Sequence, residues 1–266
     1  MRVSVIDSTP HWLPYNEKLS SQNRVDVLLD WLSRPDKERP DLATLYFSEV
    51  DSAGHRYGPN SPQVNQAIRN VDQALARFLL QLEKMGLGPY TTLIITSDHG
   101  MADVRDDQVI YLDSYLKDYP QTTIQWSGAL AGFDFGTESP TAIFASLQQE
   151  KHMQCWPKEK LPQAFHFGSH RRIPDGICLA QIGWIISGNR WLPQINRGQH
   201  GFDPAHPDMH GILIAAGRKI VPQKLGVIEN IEIYPLLCAL LTIRCEKSDA
   251  HKVLLKIISN PLPEKM

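Results

Sequence analysis

The chain has 266 residues, 42% of them hydrophobic, enough to bury a sizeable core as a single large α/β domain. A formal net charge of -2 and a pI near 6.5 exclude a nucleic-acid-binding surface built on bulk positive charge, and the one basic cluster, His170-Arg171-Arg172, reads as a solvated loop. No apolar run has the length of a membrane span, and Met1-Arg2-Val3-Ser4-Val5-Ile6, followed at once by Asp7, lacks the basic-then-apolar order of a signal peptide.

A short strand-like piece at Met1–Ile6 leads into a loop, and Arg24–Leu32 then carries Val25, Val27, Leu28, Leu29, Trp31 and Leu32, the pattern of a helix with one buried face. Leu42-Ala43-Thr44-Leu45-Tyr46-Phe47 reads as a buried strand. Ser61-Pro62 is a helix start, with Ser as N-cap and Pro at the first helical position. Val64, Ala67, Ile68, Val71, Leu75, Phe78, Leu79 and Leu82 follow at helical spacing until Gly86 and Gly88-Pro89. Thr91–Ser97 is the next expected strand, so strand, helix and strand make a βαβ unit and imply a largely parallel sheet flanked by helices. Further strands are expected at Thr141–Ala145, Ile177–Ile186 and Ile212–Ala216, with a helix at Ile231–Leu241. The stretch from Lys117 to Arg197, rich in Gly, Pro and Trp, reads as an irregular, lid-like insertion within a single domain over residues 1–266. Cys155, Cys178, Cys238 and Cys245 form no C-x-x-C pair; Cys178 and Cys238 sit in apolar runs and read as buried thiols, with a disulfide left open.

The chemistry gathers at the strand ends. Asp51 and His55 follow the strand at 42–47 with an i,i+4 spacing that a helical segment would turn towards one ion. Asp98 and His99 follow the strand at 91–97, and His200-Gly201-Phe202-Asp203 precedes the strand at 212–216. Ligands collect beyond the carboxyl ends of parallel strands, and Asp and His suit zinc and related divalent ions. An Asp after a strand is often only a helix cap and a lone His only a surface residue. Two Asp/His pairs on successive strands, with a third His-Gly element, are hard to attribute to capping. His11, His166, His170, His206 and His210 are read as ordinary loop or strand residues.

Asp51-Ser52-Ala53-Gly54-His55-Arg56-Tyr57-Gly58-Pro59, Ser97-Asp98-His99-Gly100-Met101 and His200-Gly201-Phe202-Asp203 together resemble consecutive signatures of the nucleotide pyrophosphatase/phosphodiesterase family, within the alkaline phosphatase superfamily. The similarity extends to Arg39-Pro40, Thr44-Leu45-Tyr46, Arg172-Ile173-Pro174, Gly183-Trp184, Pro207-Asp208-Met209 and Glu229 to Tyr234. It implies an alkaline-phosphatase-like α/β fold and two Zn2+ ions in the complete enzyme. Asp51, His55 and His200 would hold one ion, and Asp98 and His99 would supply two ligands of the other. The substrate implied is a nucleotide or small phosphodiester, cleaved to release a nucleoside monophosphate, with Tyr15 stacking on the base and Tyr46 lining the same pocket. The family's nucleophilic Thr and a further Asp ligand come from an earlier βα segment; Thr9 and Asp7 lie too close to Tyr15 to match them. The expectation is therefore a chain lacking that N-terminal βα segment, with one complete metal site, no nucleophile of its own and a separate N-terminal fragment as a partner. Family members are often exported, and an export signal would be lost with that segment. The alternatives are another phosphatase, mutase or phosphonate hydrolase of the superfamily, or a non-catalytic metal-binding remnant.

Overall fold

A computed structural model describes residues 12–188 and 196–259. Met1–Ile6, Asp7, Thr9 and His11 therefore lie outside the described residues. In chain order the elements are α1 (Ser21–Leu32), α2 (Glu49–Tyr57), α3 (Pro62–Lys84), β1 (Leu93–Thr96), β2 (Ala102–Asp103), β3 (Val109–Tyr111), α4 (Leu112–Leu116), β4 (Thr123–Trp126), β5 (Leu130–Asp134), α5 (Pro140–Leu147), β6 (Met153–Pro157), β7 (Gly176–Ala180), β8 (Ile185–Ser187), β9 (Gly198–Gln199), β10 (Leu213–Ala216) and α6 (Ile233–Leu241). The chain divides into two compact units: Met1–Ser48, Arg69–Asp98 and Ile212–Met266 form the first, Glu49–Ile68 and His99–Gly211 the second.

In the first unit, α1 and the long α3 pack through their apolar stripes. Val25 and Leu28 meet Ala74, Phe78 and Leu82, which recur every four residues on α3, and Leu29, Trp31, Leu32, Leu45, Phe47, Leu87 and Leu93 close the cluster. Arg77 and Asp26 form an ion pair on the flank of this contact. The expected strand at 42–47 makes no ladder with the described residues. Leu45 and Phe47 nevertheless alternate inward, with Tyr46 exposed between them, so the strand-like side-chain period is present without a pairing partner among the described residues. A second core gathers Leu236 of α6 with Leu254, Ile257 and Ile258, and β1 and β10 lend it Ile94, Leu213 and Ala215. A buried carboxylate, Glu232, accepts hydrogen bonds from the backbone N–H groups of His251 (2.5 Å) and Val253 (2.6 Å), tying the C-terminal loop to the start of α6.

The second unit is organised on a four-stranded antiparallel sheet in the order β4-β5-β7-β6. Ala131, Phe133, Cys178, Ile143 of α5 and Leu112 of α4 are all completely buried in its core. This sheet falls inside the stretch from 117 to 197, whose described residues include the regular strands β4 to β8 and the helix α5. Only β3 and β8 pair in parallel among the described strands; β1–β10 and β2–β9 are antiparallel two-stranded pairs. The fold is thus α/β with small, mixed sheets, and the largely parallel sheet is not what the described residues form.

Two local expectations need correction. Thr141–Ala145 is the middle of α5, not a strand; Ser139 stands at its N-cap position, Pro140 occupies its first turn, and Ile143 and Leu147 are buried one helical turn apart. The run at 177–186 is two strands, β7 and β8, broken at Gly183, whose φ of +86° few other residues adopt. The cysteines are also not thiols. Cys155 and Cys178 face each other across β6 and β7 and form a disulfide, and Cys238 is joined to Cys245. Burial was the right expectation for Cys178 and Cys238, but ladder register and a short loop bring a partner to each.

Candidate metal centre

The segment after residue 48 does turn helical. In α2, Asp51 and His55 lie one turn apart on the same face, with His55 Nε2 3.4 Å from Asp51 Oδ1. The loop after β1 brings His99 Nε2 to 3.9 Å from that same oxygen, and the residue after β9 brings His200 Nε2 to 3.9 Å. Side-chain exposures of 30% for Asp51, 23% for His55, 26% for His99 and 33% for His200 make the cluster half-buried and reachable by solvent. The imidazoles of His99 and His200 stack, 3.5 Å between centroids and 12° between planes, and His55 meets His200 at 5.0 Å.

Hydrogen bonds fix which nitrogens face inward. His55 Nδ1 is 2.9 Å from the Gly198 carbonyl and His99 Nδ1 is 2.8 Å from the Gly100 carbonyl. A carbonyl only accepts, so each Nδ1 carries a proton and Nε2 is the nitrogen turned towards Asp51. Asp51 Oδ1 is buried and has no hydrogen-bond partner. A carboxylate oxygen left so is costly unless a cation or donor meets it. Asp51, His55 and His200 each offer a ligand atom within 4.8 Å of the others, the one such group among the described residues. The donor set, one carboxylate and two imidazoles, fits a divalent ion of the zinc type.

Asp98 is exposed and closes the first unit just beyond β1; it stands outside the three-ligand group. Also in the first unit, the rings of Tyr15 and Tyr46 lie 6.1 Å apart at 55°, with 57% and 51% of their surface exposed. The Arg24 guanidinium lies 5.3 Å from the Tyr15 ring centroid and is itself held by the Leu19 and Asn16 carbonyls. His170 and His206 accept hydrogen bonds from the backbone N–H groups of Arg172 and Asp208, a local use outside the cluster. What the sequence did not signal is the pair of glycine carbonyls and the His99–His200 stack, since neither involves a side-chain spacing along the chain.

A helix-borne Asp and His joined by a distant His form a candidate metal site on an α/β scaffold, and a model of the type I phosphodiesterase / nucleotide pyrophosphatase family matches residues 2–203. The chain belongs to that family. It is 34% identical over 236 residues to human ectonucleotide pyrophosphatase/phosphodiesterase family member 5, covering 88% of this chain and 48% of the relative. It is 29% identical over 255 residues to a Xenopus laevis bis(5'-adenosyl)-triphosphatase, covering 91% of this chain and 53% of the relative. The chain thus spans about half the length of these curated relatives. The solved structure of murine ectonucleotide pyrophosphatase/phosphodiesterase 5, described as an inactive Thr-to-Ala variant in complex with AMP, superposes with a TM-score of 0.87 at 29% identity, over 97% of this chain and 69% of that one.

Proposed function

We propose that Asp51, His55 and His200 form a zinc site of an enzyme that hydrolyses nucleotide phosphodiester and pyrophosphate bonds and releases nucleoside monophosphates. The observation that carries this reading is Asp51 Oδ1, buried without a hydrogen-bond partner and faced by the Nε2 atoms of His55, His99 and His200. Divalent ions, when bound at such sites, clamp phosphoryl oxygens and make a hydroxyl or water nucleophilic near neutral pH. Asp51 contributes the negative charge of the ligand set, while His55 and His200 contribute neutral lone pairs. Three protein ligands leave a position open for substrate or water.

Asp98 and His99 are the proposed ligands of a second ion, by their match to the Asp-His-Gly element. Tyr15 and Tyr46 are the proposed base platform: two exposed ring faces at one place can stack on any base, at about 1–3 kcal/mol per stacked base. By the resemblance, the family's nucleophilic Thr and its further Asp ligand would come from a βα segment earlier than the motifs at Asp51, Asp98 and His200. A polypeptide segment carrying them, on this chain or on another, is what turnover requires on this reading.

The test is metal analysis and assay of these 266 residues as they stand. After dialysis one tightly held zinc per chain is expected, with a second bound weakly, and His200→Ala should remove the tight one. Hydrolysis of the nitrophenyl ester of thymidine monophosphate should stay at background. No zinc, or two tightly held ions, would overturn the ligand assignment. Zinc-dependent turnover abolished by Asp51→Ala would place the nucleophile within these residues and overturn the rest.

A further inference from the structure

We propose that Gly198 and Gly100 are positioning residues of the histidine cluster around Asp51, each acting as a backbone lock on one histidine: Gly198 on His55 of the Asp51/His55/His200 group, and Gly100 on the neighbouring His99. The proposal rests on the metal-site reading for its consequence, but its geometry stands alone. Both glycines do the same two things at once. Each offers its carbonyl to a histidine Nδ1, Gly198 to His55 at 2.9 Å and Gly100 to His99 at 2.8 Å. Each also presses against foreign backbone so closely that no side chain fits. A Cβ at Gly198 would lie 2.3 Å from the Gly54 oxygen, 3.0 Å from the Gly54 carbonyl carbon and 3.1 Å from Met101 Cγ. A Cβ at Gly100 would lie 2.1 Å from the Asp208 oxygen and 2.8 Å from the His210 oxygen. Neither glycine has a left-handed φ, so space, not backbone conformation, is what requires glycine here.

The close approach is what brings the ligands together. β9 crosses α2 where both chains are glycine, at Gly198 and Gly54, and both are buried. The crossing is secured by the Arg197 N–H donating to the His55 carbonyl at 2.8 Å and by the pairing of Ala102 with Gln199 and Asp103 with Gly198. His200 is two residues beyond the crossing. A shift of β9 away from α2 therefore breaks the lock on His55 and withdraws His200 together, which no substitution of one ligand would do. On the other side, Gly100 N–H donates to the Met209 carbonyl at 2.9 Å, so the loop carrying His99 is pinned to the turn at 207–209. Partners that orient a ligating histidine are worth about 10- to 100-fold in metal affinity.

The experiment compares the unsubstituted chain with Gly198→Ala, Gly100→Ala and, as a control, Gly176→Ala. A Cβ at Gly176 would meet the Phe133 ring at 2.3 Å, so that variant is also crowded, but in the four-stranded sheet, which carries none of Asp51, His55, His99 and His200. Nitrogen-15 NMR of the imidazoles reads the tautomer, and zinc titration against a chromophoric chelator reads affinity. In the unsubstituted chain His55 and His99 should both carry the proton on Nδ1. Gly198→Ala should abolish that signature at His55 and weaken zinc binding about 10- to 100-fold, and Gly100→Ala should abolish it at His99. Gly176→Ala should lower the melting temperature and leave tautomers and zinc affinity unchanged. An Nε2-protonated tautomer at either histidine of the unsubstituted chain overturns the proposal without any substitution. So do folded Gly198→Ala and Gly100→Ala proteins that keep both tautomers. If the unsubstituted chain binds no zinc, the metal-site reading fails, and the tautomer pattern still decides the locks.

Discussion

Glu150 is pulled in two directions. Its burial favours the neutral acid, but the Tyr115 hydroxyl donates to it at 2.7 Å and the His152 backbone N–H at 2.8 Å, with His152 Nδ1 at 2.9 Å, and together these hold its carboxyl below the usual carboxylate range. The same contact, led by the hydrogen bond itself, pushes the Tyr115 hydroxyl up to about 12. A depressed carboxylate contributes stability that is present above its unfolded value and lost as pH falls through the folded one. A raised phenol contributes stability that is present below its unfolded value and lost as pH rises through about 12. Melting temperature against pH should therefore drop on the acid side below the usual carboxylate range, and Glu150→Gln should flatten that limb; an unchanged acid limb would show that the contact does not couple to folding. At the same scale, Asp51 and His55 were legible because a one-turn spacing has meaning only if the segment is helical, and it is. His200 was legible only through its His-Gly context, since its contact with Asp51 crosses most of the second unit.

Elements were readable where their signals are local. α3 runs from the expected cap at Ser61, whose Oγ accepts from the Val64 N–H at 3.2 Å, through an apolar stripe; α1 has its expected stripe but starts at Ser21, ahead of the expected Arg24, under a cap not read from the sequence, Ser20 Oγ accepting from the Asn23 N–H at 3.2 Å. Ser61→Ala should cost about 1 kcal/mol and lower the melting midpoint by about 2–4 °C, while Ser61→Asp should hold it; equal losses in both variants would mean the contact is incidental. The same Ser-Pro signature stands at Ser139-Pro140, yet the five-residue apolar run behind it is too short for periodicity to separate helix from strand. Strand pairing was illegible for a different reason. Nothing in Leu93–Thr96 specifies an antiparallel partner at Leu213–Ala216, because register is settled by which distant faces are apolar.

Over the whole chain, each unit has its own core and its own disulfide, Cys238–Cys245 in the first and Cys155–Cys178 in the second. The first unit also keeps Trp12, Tyr90, Ile212, Ile214 and Val227 well exposed, and β1 has β10 as its one ladder partner among the described residues. Exposed apolar surface of this kind favours association, the more so beside a strand with one ladder partner among the described residues. Size-exclusion chromatography of these residues alone should show a larger species growing with concentration; a monomer at every concentration would show that the edge is protected. No helix among the described residues is long and apolar enough to cross a membrane.

The bond between His55 and Gly198 joins positions 143 residues apart, and the ladder that secures it, β2 with β9, is two residues long on each side. Closing so long a loop costs entropy that a short ladder repays poorly, so this contact belongs among the last to form and the first to open. On the proposed metal-site reading, an ion that binds only the closed crossing would draw the opening equilibrium shut by a factor of 1 + [ion]/Kd, so the supply of that ion would set what fraction of chains holds the site closed.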